Sequence, residues 1–482
     1  MNKNKIFLIL IFLFVLAFRL YFVFQSGGFS SDEAYFHLRN INYIHENFGF
    51  LYHDNLSFGG NYILYPMLFH YFLVLFSIPI LLKIIPEILL ALFIFVVYLI
   101  CKEITKDEKS ALISALISGF IPIVMNETLN QISIYSLVFP VMFLLLYSLL
   151  KLKDYVFYFI ILSFMLPFMH QTSFIFVFSV LMFLILSFIE DFEIERDKLE
   201  AIIFSCFLIL LINFIIFKKA FIEFGLSVFL QNIPSEIFSN YFRNINVLQS
   251  LSYIGVPLVL GGFGIYYGLH KERERSILLF ISVALTSFIL VGFRLIDFNI
   301  GLMFMGMSFC ILGSIAIKKF FDFIERTKLY KFENYFIILG VALVLLLSIF
   351  PCIYAGNKII ASDLSDRDLG TLLWLKENSK NDSIVLGSLN DGNKILAIAE
   401  RKTVVDSSFL LIRDIDERLK AVRSIYTSGS SALAGEFLNR YNVNYIFLSE
   451  NVMEEYGVDK LKYEDDKNCI RKIKENLYEF VC

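Results

Sequence analysis

The sequence predicts a polytopic α-helical membrane protein of about eleven transmembrane helices, with a soluble α/β domain at its C-terminal end. Three observations carry this. Of 482 residues, 57% are hydrophobic, 55 are Phe and only 18% are charged, for a mean hydropathy of +0.69, far from the composition of soluble domains. Apolar runs close to the roughly 20 residues that a helix needs to cross a bilayer recur along the first three quarters of the chain. Near Ala361 the runs stop and the composition turns polar.

The expected crossings lie at about 6–24, 84–101, 110–124, 134–150, 155–169, 172–188, 201–217, 251–269, 277–292, 299–317 and 335–355. The apolar stretch from Tyr62 to Ile80 is left out. It carries His70 and Pro66, follows Asn61, and reads as an interfacial or re-entrant segment. Orientation follows from the basic residues that stay in the cytoplasm. With the N-terminus inside, seventeen Lys and Arg fall on the cytoplasmic side. Arg39, Lys218, Lys219, Arg243 and Arg294 fall opposite, with Lys83 at a boundary. A twelfth crossing at 62–80 would invert that bias. The first run is long and lacks a small-x-small site after it, so it reads as an uncleaved span rather than a signal peptide.

The chain therefore divides into a membrane domain, 1–357, with non-cytoplasmic loops at 25–83 and 218–250, and a non-cytoplasmic soluble domain, 358–482. In the latter, 384–387, 403–405 and 445–448 read as strands, and 369–378, 411–426 and 430–441 as helices. Alternation of this kind predicts a small α/β sheet. Cys101, Cys206, Cys310 and Cys352 sit in or beside apolar runs as packing residues. Cys469 and Cys482 share the tail without the spacing of a disulfide framework. A net charge of −3 with no basic patch gives no case for nucleic acid. Gly261-Gly-Phe-Gly264 lies inside a span, where it eases helix packing.

Chemistry is expected first at Asp32 and Glu33, where the first span leaves the bilayer. Acids beside hydrocarbon are desolvated and need a cation, a metal or a substrate proton. The plainer alternative is a capped helix start, with Ser30 or Ser31 as cap and acids in the first turn. Arg19, at membrane depth, either faces a polar partner or snorkels to the interface. Asn126 with Glu127, His170 with Gln171, and Arg294 with Asp297 all fall on the side of Asp32. Taken singly, His170 reads as a satisfied buried group and Arg294 as a partner of Asp297. The loop 218–250 carries Lys218, Lys219 and Glu236, and either lies in the interface or offers cations to an anionic lipid-linked group.

In this order the residues resemble the GT-C superfamily of membrane glycosyltransferases, most closely the catalytic subunits of archaeal oligosaccharyltransferases. Asp32-Glu-Ala-Tyr-Phe-His-Leu-Arg39 is similar to the family's first external-loop motif, an Asp followed by Tyr-His-Leu-Arg. Tyr65-Pro66, Tyr98 to Glu103 and Ser110 to Pro122 extend the match, and Asn126-Glu127 falls where the second acidic motif stands. In the tail, 374–378, 382–386, 399–406 and 441–445 look like the family's external domain. One departure concerns the acceptor. Where the family has Trp-Trp-Asp-Tyr-Gly, this chain has Ser388-Leu-Asn-Asp-Gly392, without either tryptophan.

The resemblance implies transfer of a sugar from a polyprenyl (dolichyl-type) phosphate carrier, within the lipid bilayer, to a glycan or protein acceptor on the non-cytoplasmic face. It implies Asp32 and Glu33 as catalytic carboxylates, and Asp32 with Glu127 as ligands for a divalent cation (Mg or Mn). Arg294, His170, Arg19, Lys218 and Lys219 would meet the donor phosphate, and Glu236 and Asp391 the acceptor. Three other readings stand beside it: transfer to protein Asn, a non-catalytic homologue that assists a partner, and a transporter of lipid-linked sugar. No internal repeat of the kind transporters show is visible.

Overall fold

The computed structural model describes residues 3–230, 233–241, 247–272, 275–327 and 333–482. Four of the basic residues used for orientation, Arg243, Arg273, Lys328 and Lys331, lie outside them. The chain opens with α1 (Lys3–Val23) and α2 (Asp32–Asn47), followed by a two-residue hairpin, β1 (His53–Asp54) with β2 (Asn61–Tyr62), and by α3 (Leu68–Val74). α3 has seven residues, about 10 Å of helix, so the apolar stretch at 62–80 is too short there to cross.

Apolar helices then follow in series: α4 (Pro79–Thr105), α5 (Glu108–Ser118), α6 (Pro122–Thr128), α7 (Tyr135–Leu150), α8 (Leu152–Met169), α9 (Ser173–Ile189) and α10 (Arg196–Ile216). α11 (Lys218–Phe224), α12 (Ser235–Tyr241) and α13 (Val247–Ile254) are short. The apolar series resumes with α14 (Val256–Tyr267), α15 (Arg275–Gly292), α16 (Phe298–Glu325) and α17 (Glu333–Ala361). Among the described residues six helices are long and apolar enough to cross a membrane, or seven if α5 and α6, bent by 46°, are one span. Four shorter apolar helices accompany them. The expected crossings fall on these apolar segments, except that 110–124 covers both α5 and α6, and 251–269 covers α13, the break at Gly255 and α14.

Local sequence explains the shapes. The break between α5 and α6 falls at Gly119, where a Cβ would come 2.5 Å from Val15 Cγ2 of α1, and at Pro122, which starts α6 at its first turn. Gly261 and Gly264 bring α14 onto α16: a Cβ on Gly264 would lie 2.0 Å from the Leu312 carbonyl oxygen. With no side chain in the way, the two backbones meet.

After α17 come α18 (Asp366–Asn378), β3 (Ile384–Leu386), α19 (Gly392–Lys394), β4 (Lys402–Thr403), α20 (Ile415–Thr427), α21 (Ser431–Arg440), β5 (Tyr445–Phe447), α22 (Glu450–Tyr456), β6 (Ile470–Lys474) and β7 (Leu477–Phe480). The strands form one sheet in the order β4-β3-β5-β7-β6, parallel at β4-β3-β5 and antiparallel at β5-β7-β6. The β6-β7 hairpin has no counterpart in the expected elements, and a Cys469–Cys482 disulfide flanks it. This sheet docks on the segment between α2 and α3, in the first loop. The Thr403 N–H donates to the Leu56 carbonyl (3.0 Å), Ser57 to Asp406 (2.8 Å) and Asn61 to the Ser408 carbonyl (2.7 Å). The first loop and the C-terminal sheet therefore share one side of the helical bundle.

Candidate active site

The site is built around the first turn of α2. Ser31 caps it by accepting the Ala34 N–H (3.2 Å), and Asn130 anchors it by donating to Ser30 Oγ (2.7 Å). Asp32 and Glu33 are both in that turn, as the capped-helix reading expects. Consecutive helical residues point about 100° apart, so the two carboxylates have different surroundings.

Asp32 faces the C-terminal sheet. It accepts from Asn393 Nδ2 (2.6 Å), the Asn393 N–H (3.4 Å) and the Lys394 N–H (3.0 Å), at the start of α19. Burial pushes its carboxyl up to about 7 against the pull of Lys394. Glu127 Oε1 instead accepts from the side-chain amides of Asn126 (2.7 Å) and Asn299 (2.9 Å). Asp32 and Glu127, the expected metal pair, are thus engaged by different sets of donors. No group of three or more His, Cys, Asp or Glu able to hold a metal exists among the described residues.

Glu33 is the open carboxylate. It lies deep among protein atoms, yet 57% of its side chain is exposed, so it lines a cleft. Burial pushes its pKa up, but the contact with the His37 imidazole outweighs that and holds it below the usual glutamate value. Its Oε1 lies 3.5 Å from His37 Nε2. Its charge is felt by Glu127, by Asp297 and by Tyr65 and Tyr135. Asp297 caps α16, its Oδ1 accepting from the Asn299 N–H (2.8 Å) and the Ile300 N–H (3.3 Å). Asn299 therefore joins Asp297 to Glu127.

His170 ends α8 and is buried between Tyr65 and Tyr135, with ring centroids 5.8 and 5.5 Å away. Its Nδ1 accepts the Thr172 N–H (3.3 Å), which assigns the ring proton to Nε2. Burial lowers its pKa to about 4 despite the opposing charge of Glu33. It is a neutral donor rather than a cation.

Arg294 follows α15 in the left-handed backbone region (φ 59°), is exposed, and lays its guanidinium over Phe238 at 5.1 Å. Arg19 is not at this site. Its Nε donates to Glu87 Oε2 (2.5 Å) and its Nη2 to Thr128 (2.9 Å), at 2% exposure, while the Asn130 N–H fills the other Glu87 oxygen (2.9 Å). A guanidinium neutralised this way has no open face for a phosphate. Glu87, a lone carboxylate inside an apolar run, was the signal for that partner.

Lys219 sits over the Tyr62 ring, and Lys218 is exposed at the start of α11. Glu236 is half-buried on α12, where its charge bears on Glu455 and Tyr456 of α22. Asp391 is 1% exposed and already receives Ser388 (2.7 Å), Ser449 (2.5 Å) and Asn451 (2.7 Å). Instead of contacting an acceptor, its carboxylate holds the 388–392 loop to α22. His37, His70, Tyr65, Tyr135 and Asn299 join the site without having been singled out by spacing.

No protein family and no curated protein matches the sequence. Solved structures do match in fold. The Archaeoglobus fulgidus oligosaccharyltransferase AglB, in complex with an inhibitory peptide and a dolichol-phosphate, has a TM-score of 0.71 at 16% identity, covering 94% of this chain and 70% of that one. The same enzyme in complex with Zn and sulfate has a TM-score of 0.62 at 15% identity (90% and 67% covered). Tethered to an acceptor peptide containing the NVT sequon, it has 0.61 at 14% (92% and 69%). The chain is thus a multi-pass membrane protein with the fold of an archaeal oligosaccharyltransferase, as the GT-C resemblance of its motifs implies.

Proposed function

We propose that the protein is a membrane glycosyltransferase that moves a sugar from a polyprenyl-phosphate-linked donor to an acceptor on the non-cytoplasmic face. Residues 1–357 form its catalytic membrane domain, with eleven spans and the N-terminus in the cytoplasm. Residues 358–482 form an external α/β domain on the side of the first loop. The carrying observation is Glu33: a carboxylate with 57% of its side chain exposed, an imidazole beside it, and a charge that bears on Glu127 and Asp297.

In this reading the acceptor's nucleophilic atom attacks the anomeric carbon. The bond from that carbon to the carrier phosphate breaks, its electron pair leaves on the phosphate, and the acceptor's proton goes to Glu33. Negative charge grows on the departing phosphate. Arg294, exposed at the rim, and the neutral His170 Nε2–H are the donors we assign to it, with Lys218 as a further cation. The three carboxylates Glu33, Glu127 and Asp297 would steer a nucleophile and repel a misplaced phosphate. Among the described residues no group of three or more His, Cys, Asp or Glu is placed to hold a metal, and no step is routed through a divalent cation.

A second reading, transfer to protein Asn, is favoured by one observation: the enzyme of like fold was solved with a sequon peptide. Against it stands the 388–392 loop, whose Ser388 and Asp391 are turned inward. Purified full-length protein in lipid nanodiscs, given a dolichyl-phosphate-linked sugar, tests both. Transfer that survives Glu33→Gln would remove the assignment. A sequon peptide that accepts sugar where a glycan does not would select the second reading.

A further inference from the structure

Behind Glu33 lie two imidazoles that the proposed reaction does not use. His37, one turn along α2, is 1% exposed, and His70 of α3 is fully buried. Their rings meet at His37 Nδ1 and His70 Nε2, 2.9 Å apart, inside an aromatic box of Phe36, Tyr65 and Phe69. The other nitrogen of His37, Nε2, has Glu33 Oε1 as its facing group at 3.5 Å, too far for a closed hydrogen bond, and His70 Nδ1 has no partner among the described residues.

Only one hydrogen lies between the rings, and the surroundings decide whose it is. If His37 carried it on Nδ1, its bare Nε2 lone pair would face a carboxylate, and His70 would bury an unpaired Nδ1–H. If His70 carries it on Nε2, His37 keeps its proton on Nε2 and donates toward Glu33. The second arrangement makes two favourable contacts and orphans one lone pair. The first makes one contact, one repulsion and one orphaned donor. Burial also keeps the His70 ring neutral.

We propose that His37 and His70 form a positioning pair, in which His70 fixes the tautomer of His37 so that His37 Nε2–H holds the Glu33 carboxylate ionised and aimed into the cleft. Glu33 has three rotatable side-chain bonds and an exposed end, so a fixed donor removes freedom the chemistry cannot use. The logic is that of a catalytic group oriented by a second, and that second by a third. The inference rests on the reading of Glu33 as proton acceptor.

The test uses the full-length protein in nanodiscs and the pH profile of sugar transfer. The charged and titratable groups around Glu33 are His37 on its own helix, Tyr65, His170, Tyr135, Glu127 and Asp297; of these His70 touches His37 through a ring nitrogen and Tyr65 through a ring contact at 5.5 Å that both variants lose, so the Gln–Leu difference reads the His37 contact alone. His70→Gln places an amide N–H where Nε2–H stood, and transfer stays within ~3-fold of wild type. His70→Leu removes the donor. Turnover then falls ~10-fold or more at unchanged donor KM, and the acid limb moves to higher pH by up to about one unit. Equal profiles for Gln and Leu, with an unmoved acid limb, would overturn the pair. Should His70→Leu not fold, nitrogen NMR of labelled histidine in the wild type decides: His37 protonated on Nε2 supports the proposal, and on Nδ1 refutes it. Failure of the underlying reading looks different, since Glu33→Gln would then retain transfer whatever the His70 variants do.

Discussion

Asp32 and Glu33 are neighbours on one helical turn, yet one meets the C-terminal sheet and the other an open cleft. Asp32 is saturated by three N–H donors at the start of α19, and such a carboxylate builds an interface. Glu33 keeps most of its surface free and has one imidazole behind it, and such a carboxylate can still accept something. The same contrast separates Arg19, closed on Glu87 and Thr128, from the exposed Arg294, and the buried Asp391 from Glu33. A charged residue at the right depth in the right motif is a candidate. Whether its hydrogen-bonding capacity is already filled decides what it can do.

The largest effect that would break this comparison belongs to the open side. Glu33→Gln removes the proton acceptor without changing shape, and transfer should fall by ~10²–10⁴ with the thermal midpoint unchanged. If Asp32→Asn gave the larger loss in the same assay, the two roles would be exchanged.

On the closed side the largest effect is on stability. Arg19→Met strands the Glu87 carboxylate among apolar groups, and removal of one partner of a buried pair costs about 3–5 kcal/mol. Unfolding of the nanodisc-held protein should show that loss, while the donor KM of the surviving fraction stays put. A raised donor KM without lost stability would return Arg19 to the phosphate site. Arg294→Ala should do the reverse: a donor KM raised ~10-fold, the size of one charge-assisted hydrogen bond, at unchanged stability and acceptor KM. An acceptor-side defect would remove Arg294 from its assigned role.

These contrasts also mark how far the sequence could be read. The apolar runs were legible because bilayer thickness imposes a length. Strands β3 and β5 were legible as short apolar runs bounded by turn residues, whereas the run expected at 403–405 meets β4 only at Thr403. The β6-β7 hairpin was not, since Ile470-Arg-Lys-Ile-Lys474 is mostly charged and its burial comes from pairing with β5 through β7. The acid pair at 32–33 marked the site, but which acid faces the cleft depends on how α2 is rolled against Asn130 and α19, contacts about 100 and 360 residues away in sequence. His37 and His70 are 33 residues apart and became a pair only when α3 packed on α2. Glu87 was visible as a carboxylate in a span, and pairing it with Arg19 needed only the rule that such charges seek partners.

The smallest predicted effect sharpens the comparison at Asp32 itself. Burial raises its carboxyl from 3.8 to about 7, Lys394 and the N–H donors pulling down and Asp391 adding to the rise. A carboxyl with a higher pKa when docked than when free takes up a proton on docking. Docking is therefore favoured most below about pH 3.8, and that contribution fades as pH rises through about 7. Hydrogen exchange at 392–399 should accordingly quicken between pH 5 and 8 in the wild type, beyond the intrinsic pH dependence of exchange. Asp32→Asn keeps one carbonyl oxygen for the Lys394 N–H and carries no charge at any of these pH values, so the excess should vanish while transfer remains measurable. An excess that persists in Asp32→Asn would assign the titration to another group at the sheet interface. The closed carboxylate would then be a fixed strut instead of a proton-linked one.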